Sequence, residues 1–302
     1  MTPSNALGAA AGVLADRLLG EPGRRWHPVG RFGAVMDHVE KRGYRDSRLA
    51  GTWYAAAGLA LGAAAGAAIR STSLASYVAV AGRELGKVAL AVQSALDDRD
   101  LDRARSLLPA LVGRDPSALD EKGVARAAVE SVAENTVDAI VAPALWALVA
   151  GAPGALAYRA VNTLDAMVGH HSPRYERFGW ASARLDDAAG FVPARVTVVL
   201  VAAARPSRAT DVWRTVRADA AAHPSPNAGV AEAAFAAALG LRLGGVSRYG
   251  GRVELRPPLG AGRPPEARDI VAAVRLAGDV ALLTAAGLAG LAALRVGRRT
   301  RR

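Results

Sequence analysis

Residues 49–69 read LAGTWYAAAGLALGAAAGAAI, a run without a single charge, followed at once by Arg70. A bilayer core about 30 Å thick needs about 20 mostly apolar residues in one helix, and this run is long enough. Trp53 and Tyr54 stand near its start, where interfacial aromatic anchors belong. Gly58, Gly62 and Gly66 recur every four residues, the spacing that lets two helices approach closely in lipid. The run is therefore read as a membrane-spanning helix.

Other apolar runs are less clean. Ala139 to Tyr158 is uncharged, but Pro143 and Pro153 interrupt it and Gly151-Ala-Pro-Gly154 marks a break, giving one kinked span or two half-length segments. Val196 to Ala204 becomes long enough only if extended upstream to Ala188 past Arg195. Ala228 to Leu241 carries Glu232, and Val280 to Leu294 gains length only by taking in Leu276 to Asp279. Ala6 to Ala15 is too short to cross alone. Charges at membrane depth are costly and face a polar interior or a partner. The pattern is that of a membrane enzyme or transporter with a hydrated cavity, against a soluble protein with alanine-rich core helices. Strand signals are sparse, and β-branched Val196 to Val201 lies within helical patterning. The fold class expected is all-α, a polytopic helical membrane protein.

Between the spans, 71–129 is expected to be an extramembrane helical segment within a single 1–302 domain. Val78, Leu85, Val88, Val92 and Leu96 recur at helical spacing, and Asp98 to Leu111 reads as another amphipathic helix ending near Gly113. Ser117 followed by Asp120 resembles a capping box for a helix running towards Ala142. Arg248 to Pro265, rich in Gly and Pro, reads as a loop.

Composition narrows the chemistry. The 302 residues are 51% hydrophobic but only 5% aromatic, because alanine dominates, and the mean hydropathy is +0.15. Charged residues at 22% exclude a bundle wholly in lipid. The net charge of +11 comes almost wholly from arginine, spread along the polar segments and dense only in the tail RVGRRTRR of 295–302. That tail suggests a cytoplasmic C-terminus. No helix-turn-helix or RNP-like pattern accompanies the charge, so nucleic acid is not the expected partner. The absence of cysteine excludes disulfides, thiolate metal sites and cysteine nucleophiles. No cleavable signal peptide is read at the N-terminus, where Met1 to Ala15 has no basic region.

Three polar segments could carry chemistry. In VESVAENTVD (129–138), Glu130, Glu134 and Asp138 are spaced by four and share one helical face where a helix would enter lipid. Neighbouring carboxylates repel and call for a cation, a proton or arginines. Mg²⁺ on a nucleotide suits such oxygens; the plainer account pairs Arg126 with Glu130 at i+4. In RAVNTLDAMVGH (159–170), Asn162 and Asp165 lie one turn apart on an apolar helix, which calls for partners from another carboxylate-bearing helix or a simple polar contact. ARLDD (183–187) precedes GFVPAR (190–195), adding two acids and two arginines, or no more than a charged turn before a span. His27, His38, His170, His171 and His223 form no HExxH or His-x-His pattern, so zinc is not expected. In HPSPNAG (223–229), Ser225 or Asn227 would cap a helix whose first amides could face a phosphate.

At these residues the chain resembles the adenosylcobinamide-phosphate synthase family of cobalamin biosynthesis. The matching blocks are DRLLGEP (16–22), HPVGRFG (27–33), GRD (113–115), ESVAENTVDAIVAP (130–143), GAPGALAYRAVNTLDAMVG (151–169), SARLDDAAGFVPAR (182–195), HPSPNAGVAEAAFAAALGLRLGG (223–245) and, in the last helix, Asp269-Ile270, Arg275 and Asp279. The resemblance implies a multi-pass protein of the bacterial inner membrane that joins (R)-1-amino-2-propanol, or its O-2-phosphate, to the f-propionate of adenosylcobyric acid. A carboxylate does not condense with an amine in water unactivated, so ATP and Mg²⁺ are implied as cofactors, through an acyl phosphate. On this reading Glu134, Asp138 and Asp165 would hold Mg²⁺, with Asn135 and Asn162 orienting ligands. Arg184 or Arg195 would bind phosphate. Asp186 or Asp187 would accept the ammonium proton, with His27 or His223 as substitutes, and the Ser225–Asn227 turn would receive the aminopropanol phosphate. Expected partners are the corrinoid and amine substrates, the bilayer, and other late-pathway enzymes or a second copy. The rival is a transporter of a corrinoid or phosphorylated amine that uses the same acids as a proton relay.

Overall fold

The computed structural model describes residues 2–20, 27–113, 115–170, 172–249 and 252–299. Glu21 and Pro22 of the first N-terminal block, Arg114, His171 and the last residues of the arginine-rich tail lie outside the described residues.

Helices dominate. In chain order they are α1 (Pro3–Leu19), α2 (Pro28–Gly43), α3 (Arg48–Ile69), α4 (Thr72–Ala79), α5 (Gly82–Asp97), α6 (Leu101–Leu107), α7 (Glu121–Thr136), α8 (Ala142–Leu164), α9 (Trp180–Ala204), α10 (Ala209–Asp219), α11 (Ala228–Leu239) and α12 (Ala267–Arg299). A π-helical turn, Val137–Val141, joins α7 to α8, and a second, Asp165–Gly169, follows α8. Among the described residues four helical stretches are long and apolar enough to cross a membrane: Arg48–Ile69, Glu121–Gly169, Trp180–Ala204 and Ala267–Gly297. This is a polytopic helical membrane protein. At 1.5 Å per residue α3 is about 33 Å long, enough for the hydrocarbon core.

The chain groups into two compact units. The first comprises Met1–Ala81, Asp138–Phe191 and Thr284–Arg302, the second Gly82–Val137 and Val192–Leu283. The segment 71–129 is thus divided, with α4 in the first unit and α5 onward in the second.

In the first unit α3 packs against α8, and α1 and α4 pack on α8 and on each other. The glycine stripe makes the α3–α8 approach possible. A Cβ at Gly62 would lie 2.6 Å from the Ala160 Cβ, and one at Gly66 would lie 2.3 Å from the Ala152 carbonyl oxygen. Helix α8 is broken at Gly151, whose φ of 65° and ψ of −146° are not helical. Two half-length helices therefore share this span, as the Gly-Ala-Pro-Gly sequence allows.

In the second unit α11 is 12 residues, about 18 Å, and most of it is buried, so it is a core helix and not the marginal span expected for Ala228 to Leu241. Three further expectations need correction. Asp120, not Ser117, caps α7, its carboxylate accepting the Gly123 amide at 2.8 Å. The helix expected from Asp98 begins at Leu101, capped by Asp100 and closed by a 3₁₀ turn, Leu108–Ala110. The supposed loop Arg248–Pro265 contains most of an antiparallel hairpin, β1 (Leu243–Tyr249) and β2 (Arg252–Leu259), registered from Tyr249 opposite Arg252 to Leu243 opposite Leu259. Gly244 and Gly245 have φ of 85° and 108°, and the register shifts between Leu243 and Gly245.

Candidate active site in a span-bearing unit

In the first unit three elements converge on the side chain of Asn162. Asp138 is the second residue of the π turn before α8. Its Oδ1 accepts the Tyr158 hydroxyl at 3.2 Å, and its Oδ2 accepts the Asn162 amide at 3.3 Å. The same Asn162 nitrogen donates to Asp186 Oδ1, on α9, at 3.3 Å. Tyr158 and Asn162 are four residues apart on the second half of α8, so they share a face. Asp165 opens the π turn after α8. Its side chain lies on Gly169, where a Cβ would sit 1.9 Å from Asp165 Oδ1. The charges of Asp138 and Asp165 both reach Asp186. Each π turn thus places an aspartate at one end of α8, and such turns recur at functional sites.

Other expected residues of this unit are less engaged. Asp187 faces Arg184 at 3.9 Å, with the arginine side chain 68% exposed, a pair of little energetic weight. His27 caps α2, its Nδ1 accepting the Val29 amide at 3.3 Å.

The remaining expected residues belong to the second unit. Glu134 and Asn135 are half-buried on α7, and Asn135 donates to the Ser131 carbonyl at 3.0 Å. Glu130 is buried. It accepts the Gly244 amide at 2.8 Å and lies 3.8 Å from Arg126 Nε. Arg126 also donates to the carbonyls of Gly244 and Val246, at 2.7 Å each. This part of the acidic stripe therefore holds the hairpin onto α7. Arg195 donates to Asn227 Oδ1 at 3.0 Å. Asn227 is the N-cap residue of α11 but its side chain makes no capping bond; Ser225 Oγ instead accepts the amides of Asn227 and Ala228 at 3.3 and 3.1 Å. His223 Nδ1 accepts the Ser225 amide at 3.1 Å, and its Nε2 is 3.8 Å from the fully buried Glu232, which Arg256 approaches to 3.7 Å.

Among the described residues no three of His, Cys, Asp and Glu are gathered closely enough to hold a metal ion by themselves. Sequence reasoning missed Tyr158, which donates to Asp138, and missed Arg126 as a hairpin clamp. A tyrosine four residues before Asn162 was the available signal for the first; the Gly-Gly pairs at 244–245 and 250–251 were the signal for the second.

Membrane-crossing helices that meet at hydrogen-bonded carboxylates and an amide define a membrane protein with a polar centre suited to chemistry on a polar ligand. The chain belongs to the CobD/Cbib protein family, whose model matches residues 9–277, and so to the proteins of cobalamin biosynthesis. Relatives include the "Cobalamin biosynthesis protein CobD" of Mycobacterium tuberculosis, 47% identical over 314 aligned positions that cover 98% of this chain and 97% of that protein. The proteins of the same name from Stutzerimonas stutzeri and Chromobacterium violaceum are 44% and 43% identical. Their alignments cover 89% and 90% of this chain, and 92% of each relative. No solved structure matches.

Proposed function

We propose that this protein is the ATP-dependent amide synthase that joins (R)-1-amino-2-propanol, or its O-2-phosphate, to the f-propionate of adenosylcobyric acid in a bacterial inner membrane. The observation that carries the reading is the meeting of Asp138, Asn162 and Asp186 from separate helical elements, in a chain of a cobalamin-biosynthesis family.

The chemistry follows from the bond to be made. A propionate oxygen attacks the γ-phosphorus of ATP, giving an acyl phosphate and ADP. The amine then attacks the acyl carbon, phosphate leaves, and the nitrogen loses a proton. Asp186, or Asp187 beside it, is assigned the role of taking that proton. Asn162 positions Asp186 and Asp138 through one amide nitrogen, and the Tyr158 hydroxyl holds Asp138 from the other side. Asp138 and Asp165 would be the oxygen donors for Mg²⁺ in this unit. An all-oxygen set of few carboxylates suits an ion that completes its shell with nucleotide phosphates. Such an ion, when bound with ATP, neutralises charge on the transferred phosphoryl group. Arg184 is assigned to phosphate in the first unit.

The test is a defined assay. Detergent-extracted protein is mixed with adenosylcobyric acid, aminopropanol phosphate and Mg-ATP, and the corrinoid is analysed by mass spectrometry. The expected product is heavier by the aminopropanol phosphate unit and forms only with ATP. A transporter makes no such product in detergent, where no gradient exists. Absence of product from folded protein overturns the proposal; undiminished product from Asp186→Asn overturns the role given to Asp186.

A further inference from the structure

In the first unit, basic charge gathers at one end of α3. Segments 40–48 and 172–180 lie side by side there. The Tyr44 hydroxyl donates to the Arg174 carbonyl at 2.8 Å, the Tyr44 and Phe178 ring centroids are 5.2 Å apart, and Arg177 faces Asp46 at 3.8 Å. Together the two segments hold six lysines and arginines against the acids Glu40, Asp46 and Glu176. Beyond them α3 is bare: between Arg48 and Arg83 the only charged residue is Arg70, at the other end of the helix.

Both segments lead directly into spans, α3 from Arg48 and α9 from Trp180. On α3, Leu49 and Trp53 are 70% and 71% exposed, and Trp180 is 41% exposed at the start of α9. On a membrane-crossing helix such side chains meet lipid, and tryptophans at the helix starts mark headgroup depth. The cations just before them therefore stand at the level of lipid phosphates. A lysine and arginine bias of this kind marks the cytoplasmic flank of a span, and the cytoplasmic leaflet is the one that attracts basic juxtamembrane segments.

The partners of these cations differ. The buried Glu40 takes Arg174 and the Tyr175 hydroxyl, each at 2.9 Å. Lys41 pairs with Asp37, and Arg42 meets His38. Arg45 is exposed, and its side chain has no partner among the described residues. The Arg48 guanidinium lies over the Trp180 ring, 5.1 Å from its centroid, and meets no carboxylate among the described residues. Stacking uses the face of a guanidinium and leaves its in-plane N–H donors for an acceptor. An anion that reaches these arginines beside Leu49 and Trp53 carries its charge at the edge of an apolar body lying in the bilayer. A phospholipid phosphate answers that description, and guanidinium binds phosphate through paired N–H bonds. A zwitterionic headgroup would add a cation to a belt already basic, so the complementary lipid is net anionic.

We propose that Arg45 and Arg48, beside Trp180, form a binding site for the headgroup of an anionic phospholipid.

The test is native mass spectrometry and thermal melting of the full-length protein in neutral detergent, titrated with dioleoylphosphatidylglycerol or dioleoylphosphatidylcholine. Phosphatidylglycerol should be retained in preference and should raise the melting temperature, as a ligand of the folded state does. A basic side chain near an anionic lipid surface is worth about fivefold in affinity. Arg45→Gln/Arg48→Gln should therefore weaken retention about 25-fold. Lys87→Gln/Arg103→Gln, which removes two exposed cations of the second unit, should retain the lipid as wild type does. Should the Arg45/Arg48 variant melt early without lipid, Arg45→Gln alone decides, with a loss of about fivefold expected. Equal retention of both lipids by wild type overturns the site, as does undiminished retention of phosphatidylglycerol by Arg45→Gln. Displacement of phosphatidylglycerol by an equal concentration of sn-glycerol 3-phosphate assigns the arginines to a soluble anion and overturns the lipid.

Discussion

Two groups of helical carboxylates, Asp138 with Asp186 in the first unit and Glu130 with Glu232 in the second, meet different partners. In the first unit Asp138 and Asp186 accept hydrogen bonds from a phenol and a carboxamide, both neutral groups. In the second, Glu130 lies beside the Arg126 guanidinium and takes a backbone amide, and Glu232 lies between Arg256 and His223. A carboxylate beside a guanidinium is compensated within the protein and contributes to architecture. A carboxylate that meets neutral donors beside other carboxylates is not compensated by those contacts, and a proton or an arriving cation would satisfy it. The residue types are the same; the donor chemistry differs.

Mutations can break this contrast. The largest effect is expected for Asp186→Asn, a loss of amide synthesis of about 10²–10⁴-fold, the range for removing a positioned acid–base group. Its thermal midpoint in detergent should match wild type. If Asp186→Asn melts early with activity falling only in proportion to unfolding, the first unit's acids are struts as well. Next comes Arg126→Ala, which leaves Glu130 buried without its guanidinium and the Gly244 and Val246 carbonyls without their donor. A cost of about 3–5 kcal/mol is expected, read as a collapse of the melting transition. A fully stable Arg126→Ala would erase the distinction from the other direction.

These two cases also show how far the sequence could be read. Span α3 was visible to within one residue, because an uncharged run of that length has few alternatives. The break in α8 was visible because glycine and proline punctuate locally. The partnership of Asn162 with acids from other helices followed from polar residues one turn apart on an apolar helix, but which acids answered depended on packing. The stripe Glu130–Glu134–Asp138 misled in part, since spacing cannot show that Glu130 meets a hairpin more than 110 residues away. That hairpin was hidden because glycine and proline density, which marks loops, also serves a strand with a register shift and Pro257-Pro258 near its end. The π turns had no signature in residue type at all.

Smaller effects sharpen the picture within the first unit. Gly66→Val should cost about 1–3 kcal/mol by overpacking the α3–α8 contact, seen as a lower melting temperature, whereas Gly43→Ala, with open space around its Cβ, should be close to neutral. The smallest effect concerns pH. Tyr175, outside the spans, donates its hydroxyl to the buried Glu40 at 2.9 Å, and Arg174 binds the same oxygen at 2.9 Å. Burial, supported by Glu40 and opposed by Arg174, raises the Tyr175 phenol above its ordinary value near 10. A raised folded value means that this contribution is complete below pH 10 and is lost as pH climbs through the folded value. Tyr175→Phe should therefore cost about 1 kcal/mol at neutral pH and flatten the decline in melting temperature above pH 10. An unchanged alkaline decline would assign it to another group.

The glycine stripe of α3 also bears on how the chain is made. A helix of alanine and glycine has less drive into lipid than one of leucine and isoleucine, and its surface is shaped to fit α8 rather than acyl chains. Yet α8 begins about 70 residues after α3 ends. At a synthesis rate of roughly 5–20 residues per second, α3 leaves the ribosome some seconds before its partner exists. During that interval α3 depends on the insertion machinery and on its nearer neighbours α2 and α4, which makes the order of synthesis part of how this membrane protein reaches its fold.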